Sequence, residues 1–155
     1  PRAEWTPVGP SSYELLYRSG AGLTPRPLRR IASGGELSRV MLASKVVLGN
    51  ADGVDTLVFD EVDAGVGGST ARALAGVLAD LAATHQVIVV THLAQVAVMA
   101  DKHYVVSKEP GDVPQTHLDE VAGDARIAEI ARMLSGDQSE ASLAHAKQML
   151  EEARA

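Results

Sequence analysis

The sequence contains no cysteine. No disulfide framework and no thiolate zinc site can form, and a reducing, cytoplasmic compartment is the expectation. No apolar run approaches the roughly 18 residues that a spanning helix needs, so no membrane partner is expected. Nor does a signal-peptide pattern open the chain. Aromatic residues are scarce, 3% of the total: Trp5, Tyr13, Tyr17, Phe59 and Tyr104. The core must be aliphatic, and stacking platforms for single-stranded nucleic acid are not expected. Basic residues are the minority, 14 against 20 acidic, for a formal net charge of −6. That excludes a surface attractive to nucleic acid everywhere but leaves room for a local basic patch. Three catalytic signatures are also missing. There is no Gly-x-Gly-x-x-Gly for a dinucleotide, no Gly-x-Ser-x-Gly for a serine nucleophile and no His-Glu-x-x-His for zinc. His85, His103, His117 and His145 have no metal-ligand spacing.

What is present is the composition of a folded domain. Of 155 residues, 46% are hydrophobic and 22% charged, close to the globular average. A chain of this length buries roughly 70% of its unfolded surface, enough for a real core. Residues 1–30 read as an irregular, proline-rich segment with one short strand at Tyr13 to Tyr17. From Ser33 a helical spacing begins, carried by Leu37, Val40, Met41, Ser44, Val47 and Leu48 and stopped by Gly49-Asn50. Thr56 to Phe59 is a continuous apolar run of strand length, followed at once by Asp60 and Glu61. A helix is expected from about Ser69 to Ala83 with Leu74, Val77, Leu78 and Leu81 inward. A second apolar strand, Gln86 to Val90, ends in Thr91-His92. After a short helix from Leu93 to Ala100, a third strand is expected over His103 to Ser107 and a turn over Glu109 to Pro114. Two helices close the chain, Asp124 to Leu134 with Gly136 as its cap, and Gln138 to Arg154. Unalternated apolar strands separated by helices predict an α/β layer with a parallel sheet. Ligands of such sheets lie beyond the carboxyl ends of the strands, where Asp60-Glu61 and Thr91-His92 both fall.

Each polar motif has a plain reading and a chemical one. Ser33 with Glu36 fits a capping box, and taken alone that is the better reading. The same helix start, with Gly34 and Gly35 allowing close approach, is also an anion site. Asp60-Glu61 is either a solvated turn or a magnesium ligand beside a base that polarises water. His92 is either a packing residue or a group that meets a phosphate. Arg29, Arg30 and Arg39 are either a solvated face or phosphate partners.

Taken in order, these elements resemble the ABC-type ATPases. Ala32 to Arg39 resembles their signature motif, Thr56 to Glu61 their Walker B strand with its catalytic glutamate, Val62 to Gly65 their D-loop, and Thr91-His92 their switch histidine. Glu36 stands where transporter ATPases usually carry glutamine. With Asp60-Glu61-Val62-Asp63 it resembles the chromosome-maintenance and recombination branch, which serves DNA repair. The resemblance runs from about Pro27 onward. It implies that Asp60 holds Mg²⁺, that Glu61 orients the hydrolytic water of ATP and that His92 meets the γ-phosphate. It further implies that Ser33, Gly34, Gly35 and Glu36 reach ATP held by a second head, and that Asp63 couples the two sites. The phosphate-cradling Gly-x-x-x-x-Gly-Lys-[Ser/Thr] loop is absent. Lys45, Lys102, Lys108 and Lys147 follow Ser, Asp, Ser and Ala. The expectation over residues 31–155 is therefore the C-terminal half of an ABC-type P-loop head. Its partners would be an N-terminal Walker A half, a second head and, at the nucleoid through the whole protein, DNA. Alone it should be inactive or nearly so. The alternatives are half of a transporter ATPase and a non-catalytic interaction module.

Overall fold

A computed structural model describes residues 7, 9, 11–30, 33–49, 53–109 and 115–154. A first antiparallel pair joins β1 (Leu16–Tyr17) to β2 (Arg26–Pro27), and a 3-10 turn (Leu28–Arg30) follows. Then come α1 (Gly34–Leu48), β3 (Thr56–Phe59), α2 (Gly68–Ala82), β4 (Gln86–Val89) and α3 (Ala94–Ala97). β5 (His103–Glu109), β6 (Gln115–Val121), α4 (Gly123–Ser135) and α5 (Glu140–Glu152) complete the order. The chain is thus α/β, with a parallel pair flanked by helices.

β3 and β4 are that pair, in register from Thr56 opposite Gln86 to Phe59 opposite Val89. α2 is the crossover between them, as parallel neighbours require. Leu74, Leu78 and Leu81 of α2 are buried as expected. They pack with Leu57, Phe59, Val62, Leu42 of α1 and Val96 of α3. A second core lies between α3, α4 and α5, built on Ala94, Ala97, Val98, Ile130, Ala131, Ala146 and Leu150. The short α3 therefore belongs to both cores. Arg126 of α4 fastens its end: the buried guanidinium donates from Nη2 to the carbonyls of Ala97 (3.1 Å), Val98 (3.3 Å) and Ala100 (2.6 Å). A cation suits the partial negative charge of a helix C-terminus. Gly136 ends α4 in the left-handed conformation (φ 78°), with its N–H donating to the Arg132 carbonyl at 2.8 Å. It is the cap that the sequence predicts.

Three expectations need correction. The strand at His103 does not extend the parallel sheet. It pairs antiparallel with β6, from His103 opposite Val121 to Glu109 opposite Gln115. β6 carries no apolar alternation and is exposed along nearly its whole length, so it has no period-2 signal to read. The expected turn, beyond Glu109, lies outside the described residues. In the N-terminal segment the strand is confined to Leu16–Tyr17 and has a partner, Arg26–Pro27. Finally, Val77 of α2, expected inward with Leu74, Leu78 and Leu81, is exposed. In α1 the helical spacing does mark a helix. Leu42 and Lys45 are buried, whereas Leu37, Met41, Val47 and Leu48 are exposed. Asn50, half of the expected stop, lies outside the described residues.

Candidate functional site at the carboxyl edge of the parallel pair

Parallel pairing brings the two polar motifs together. Because Phe59 stands opposite Val89, the residues that follow, Asp60-Glu61 and Val90-Thr91-His92, leave the sheet at the same edge. The Val90 N–H donates to the Phe59 carbonyl at 2.9 Å, extending the ladder to that edge. Asp60 and Glu61 are both exposed. Glu61 has φ 55°, the one positive φ among described residues other than glycine. A side chain in that region costs roughly 1–3 kcal/mol, and such strain concentrates at functional sites. The turn is held by Ala64 N–H donating to the Glu61 carbonyl (3.0 Å) and Val66 N–H donating to the Asp63 carbonyl (3.0 Å).

The start of α1 packs against this turn. Ser33 is its N-cap, accepting from the Glu36 N–H at 3.4 Å, which is the serine half of the expected capping box. Ala32 lies outside the described residues. Gly34 and Gly35 are small because of what they touch. A Cβ on Gly34 would lie 2.5 Å from Glu61 Oε2. A Cβ on Gly35 would lie 2.7 Å from both the Ala64 Cβ and the Glu61 carbonyl oxygen. The Glu61 carboxylate thus sits at the amino end of a fifteen-residue helix, where unpaired N–H groups and the helix dipole favour a negative group. Two further side chains of α1 fasten the turn. Ser38 Oγ donates to the Asp60 carbonyl at 2.6 Å. Arg39 Nη1 donates to the carbonyls of Val62 (3.2 Å) and Ala64 (2.9 Å). Arg39, read as a face residue or a phosphate partner, here clasps backbone. Arg29 instead pairs with Glu14 at 2.7 Å on the surface.

Asp63 departs from its neighbours. It is buried, and its Oδ2 accepts from Thr91 Oγ1 (2.5 Å) and from the His92 N–H (3.0 Å), with His92 Nδ1 lying 3.1 Å from the same oxygen. Thr91 Oγ1 in turn accepts from the Leu93 N–H at 3.0 Å. The His92 side chain is 69% exposed, that of Asp63 only 3%. Sequence reasoning placed Thr91 only as the neighbour of His92. Its threonine hydroxyl, at the turn between a strand and a helix, is the local signal that could have marked it.

Among the described residues no group of three histidine or acidic side chains is clustered to hold a metal. The donor set at the edge, one or two exposed carboxylates, suits Mg²⁺, which takes few protein ligands and keeps water or phosphate oxygens for the rest. No helix is long and apolar enough to cross a membrane.

Comparison with known proteins gives one consistent result. The chain is 51% identical over 146 residues to the DNA repair protein RecN of Treponema pallidum, covering 93% of this chain and 26% of that protein. It is 52% identical over 149 residues to RecN of Deinococcus radiodurans, covering 96% of this chain and 26% of that protein. For RecN of Streptomyces coelicolor the figure is 48% over 151 residues, with 96% of this chain and 26% of that protein covered. The sequence is similar to the C-terminal part of RecN proteins. It spans about a quarter of the length of these curated relatives. No family model matches. One solved structure, described as structural biochemistry of ATP-driven dimerization and DNA stimulated activation of SMC ATPases, is similar with a TM-score of 0.48. Its identity is 21%, and the match covers 87% of this chain and 69% of that one.

Proposed function

We propose that this chain is the signature and Walker B half of the ATPase head of a RecN-type DNA repair protein. ATP is bound and hydrolysed in a composite site, completed by an N-terminal Walker A half and by a second head. The observation that carries the reading is the shared edge: Asp60 and Glu61 leave β3 where Thr91 and His92 leave β4, with the glycines of α1 against Glu61. Glu61 orients the hydrolytic water, and His92 faces the γ-phosphate. Asp60 helps to hold Mg²⁺. When bound, that ion neutralises charge on the phosphates. Ser33, Gly34 and Gly35, with Glu36 behind them, present the amino end of α1 to the γ-phosphate of the second head. In the chain by itself the Glu61 carboxylate lies at that same helix start. A second head's phosphate and Glu61 therefore compete for one place, and pairing turns Glu61 back toward its own nucleotide. DNA is contacted through the whole protein. Arg26, Arg29 and Arg30, all exposed except for the Arg29 pair with Glu14, are the local candidates.

The test is Glu61→Gln in the full-length protein. A positioned base contributes roughly 10²–10⁴ in rate, so turnover of MgATP should fall by about 10²-fold or more, while ATP-dependent pairing of heads, read by light scattering, persists. Turnover within about twofold of the unsubstituted protein removes Glu61 from this role.

A further inference from the structure

Each of the five consecutive carbonyls from Asp60 to Ala64 accepts a hydrogen bond, and the donors alternate in origin. The Glu61 and Asp63 carbonyls are served from within the turn, by the Ala64 and Val66 N–H groups at 3.0 Å each. Those of Asp60, Val62 and Ala64 are served from α1, by Ser38 Oγ at 2.6 Å and by Arg39 Nη1 at 3.2 and 2.9 Å. Irregular backbone has no ladder to satisfy it, so side chains of a neighbouring element do so here. One guanidinium nitrogen bridges two carbonyls, and Arg39 is itself half-buried. Gly35, one turn earlier on the same helix, leaves it room: a Cβ there would lie 3.2 Å from Arg39 Nη1. Beneath, the fully buried Val62 anchors the turn in the core. Within this bonded loop Glu61 keeps its positive φ of 55°, a conformation that persists only where the surroundings over-determine it.

We infer that Arg39 is a positioning residue for Glu61. It acts through the backbone: by gripping the Val62 and Ala64 carbonyls it pins the segment after Glu61 to α1, and so fixes where the Glu61 carboxylate stands. Ser38 does the same for Asp60, the residue before it. Arg39 has no need to touch the nucleotide for this. A long side chain that only covered a helix face would have no cause to give up its rotamer freedom. The inference rests on the reading of Glu61 given above and deepens it. The helix whose amino end serves the second head also sets the stance of the group that orients the water, so both contributions of this chain to the composite site are held in one frame.

Two rival roles, a phosphate partner and a brace for the fold alone, are separated by Arg39→Ala in the full-length protein. Two carbonyls then lose their donor and the turn loosens. Amide hydrogen exchange in peptides spanning Asp60 to Val66, followed by mass spectrometry, should quicken by about tenfold or more, while peptides from α2 exchange as before. Turnover of MgATP should fall by about 10- to 100-fold in kcat, the usual range for an orienting partner, with KM within about twofold. Added to Glu61→Gln, Arg39→Ala should lower turnover no further, because both act through one carboxylate. Arg39→Lys should recover part of the loss, since both bonds come from one nitrogen and an ammonium also offers several donors at one point. Ser38→Ala frees only the Asp60 carbonyl. It should give a smaller effect of the same kind, and it carries the test should Arg39→Ala fail to fold. Unchanged kcat, or a loss matched by faster exchange in α2, makes Arg39 a brace for the fold and overturns the inference. So does a KM raised by about tenfold or more with exchange in the turn unchanged, the mark of a phosphate partner. If Glu61→Gln itself leaves turnover intact, the reading of Glu61 fails, while the exchange measurement still decides whether Arg39 holds the turn.

Discussion

The two faces of the β3–β4 pair have nearly the same composition and opposite surroundings. On one face Leu57 and Phe59 are buried, with the partly buried Val87 and Val89 beside them, against α2, Leu42 and Val96. On the other, Val58 is 65% exposed, Ile88 47% and Val90 57%. Three β-branched residues in a row at a sheet surface, continued by exposed Leu37 and Met41 of α1, form a larger uncovered apolar area than scattered surface residues make. A strand apolar on both sides is built for a sheet covered on both sides. The difference is the one the proposed function requires, in which a further part of the longer protein covers the second face.

Substitutions on the two faces sharpen this contrast. Phe59→Ala removes a buried ring and should destabilise by about 3–5 kcal/mol, in the chain and in the full-length protein alike. Val58→Ser should shift the stability of the chain by less than about 0.5 kcal/mol, as exposed positions do. In the full-length protein it should cost about 1–3 kcal/mol if the face is covered there. Urea unfolding of the four proteins measures this directly. Equal effects of Val58→Ser in both contexts would break the comparison.

A smaller effect belongs to the covered side of the molecule. Burial, assisted by Arg126 and opposed by Glu129, holds His103 below the ordinary histidine value. The folded chain therefore prefers the neutral ring. As pH falls below about 6.5 the unfolded chain takes up the proton first, and stability declines toward the lowered folded value. Between pH 7 and 5, thermal unfolding should show this loss, and His103→Gln should flatten it. An unchanged slope would show that the ring is not held neutral.

Most of what the sequence makes legible here is local. The apolar runs of β3 and β4 are unbroken, the spacing of Leu74, Leu78 and Leu81 is helical, and Gly136 is an unambiguous stop, so these elements stand where they are expected. The carboxyl-edge site was readable because one fact, two parallel strands ending level, brings Asp60, Glu61 and His92 together. What escaped depends on neighbours. β6 buries nothing and so carries no pattern. The apolar spacing of α1 marks the helix but not its covered face, since Leu37, Met41, Val47 and Leu48 are exposed while Leu42 and Lys45 are buried. The inward turn of Asp63 could not be told from Asp60 and Glu61 beside it, since one string of carboxylates has no periodicity to separate buried from exposed. The clasp of Arg39 on the Val62 and Ala64 carbonyls was equally hidden, because an arginine on a helix face reads alike whether it meets backbone or phosphate.

The most direct measurement compares MgATP hydrolysis by this chain alone with hydrolysis by the same chain joined to the part of the protein that precedes it. The account predicts no turnover above the blank for the chain alone, and turnover in the joined protein that Glu61→Gln removes. Brisk hydrolysis by the chain alone, lost with Glu61→Gln, would contradict it by showing that the site is complete without a partner.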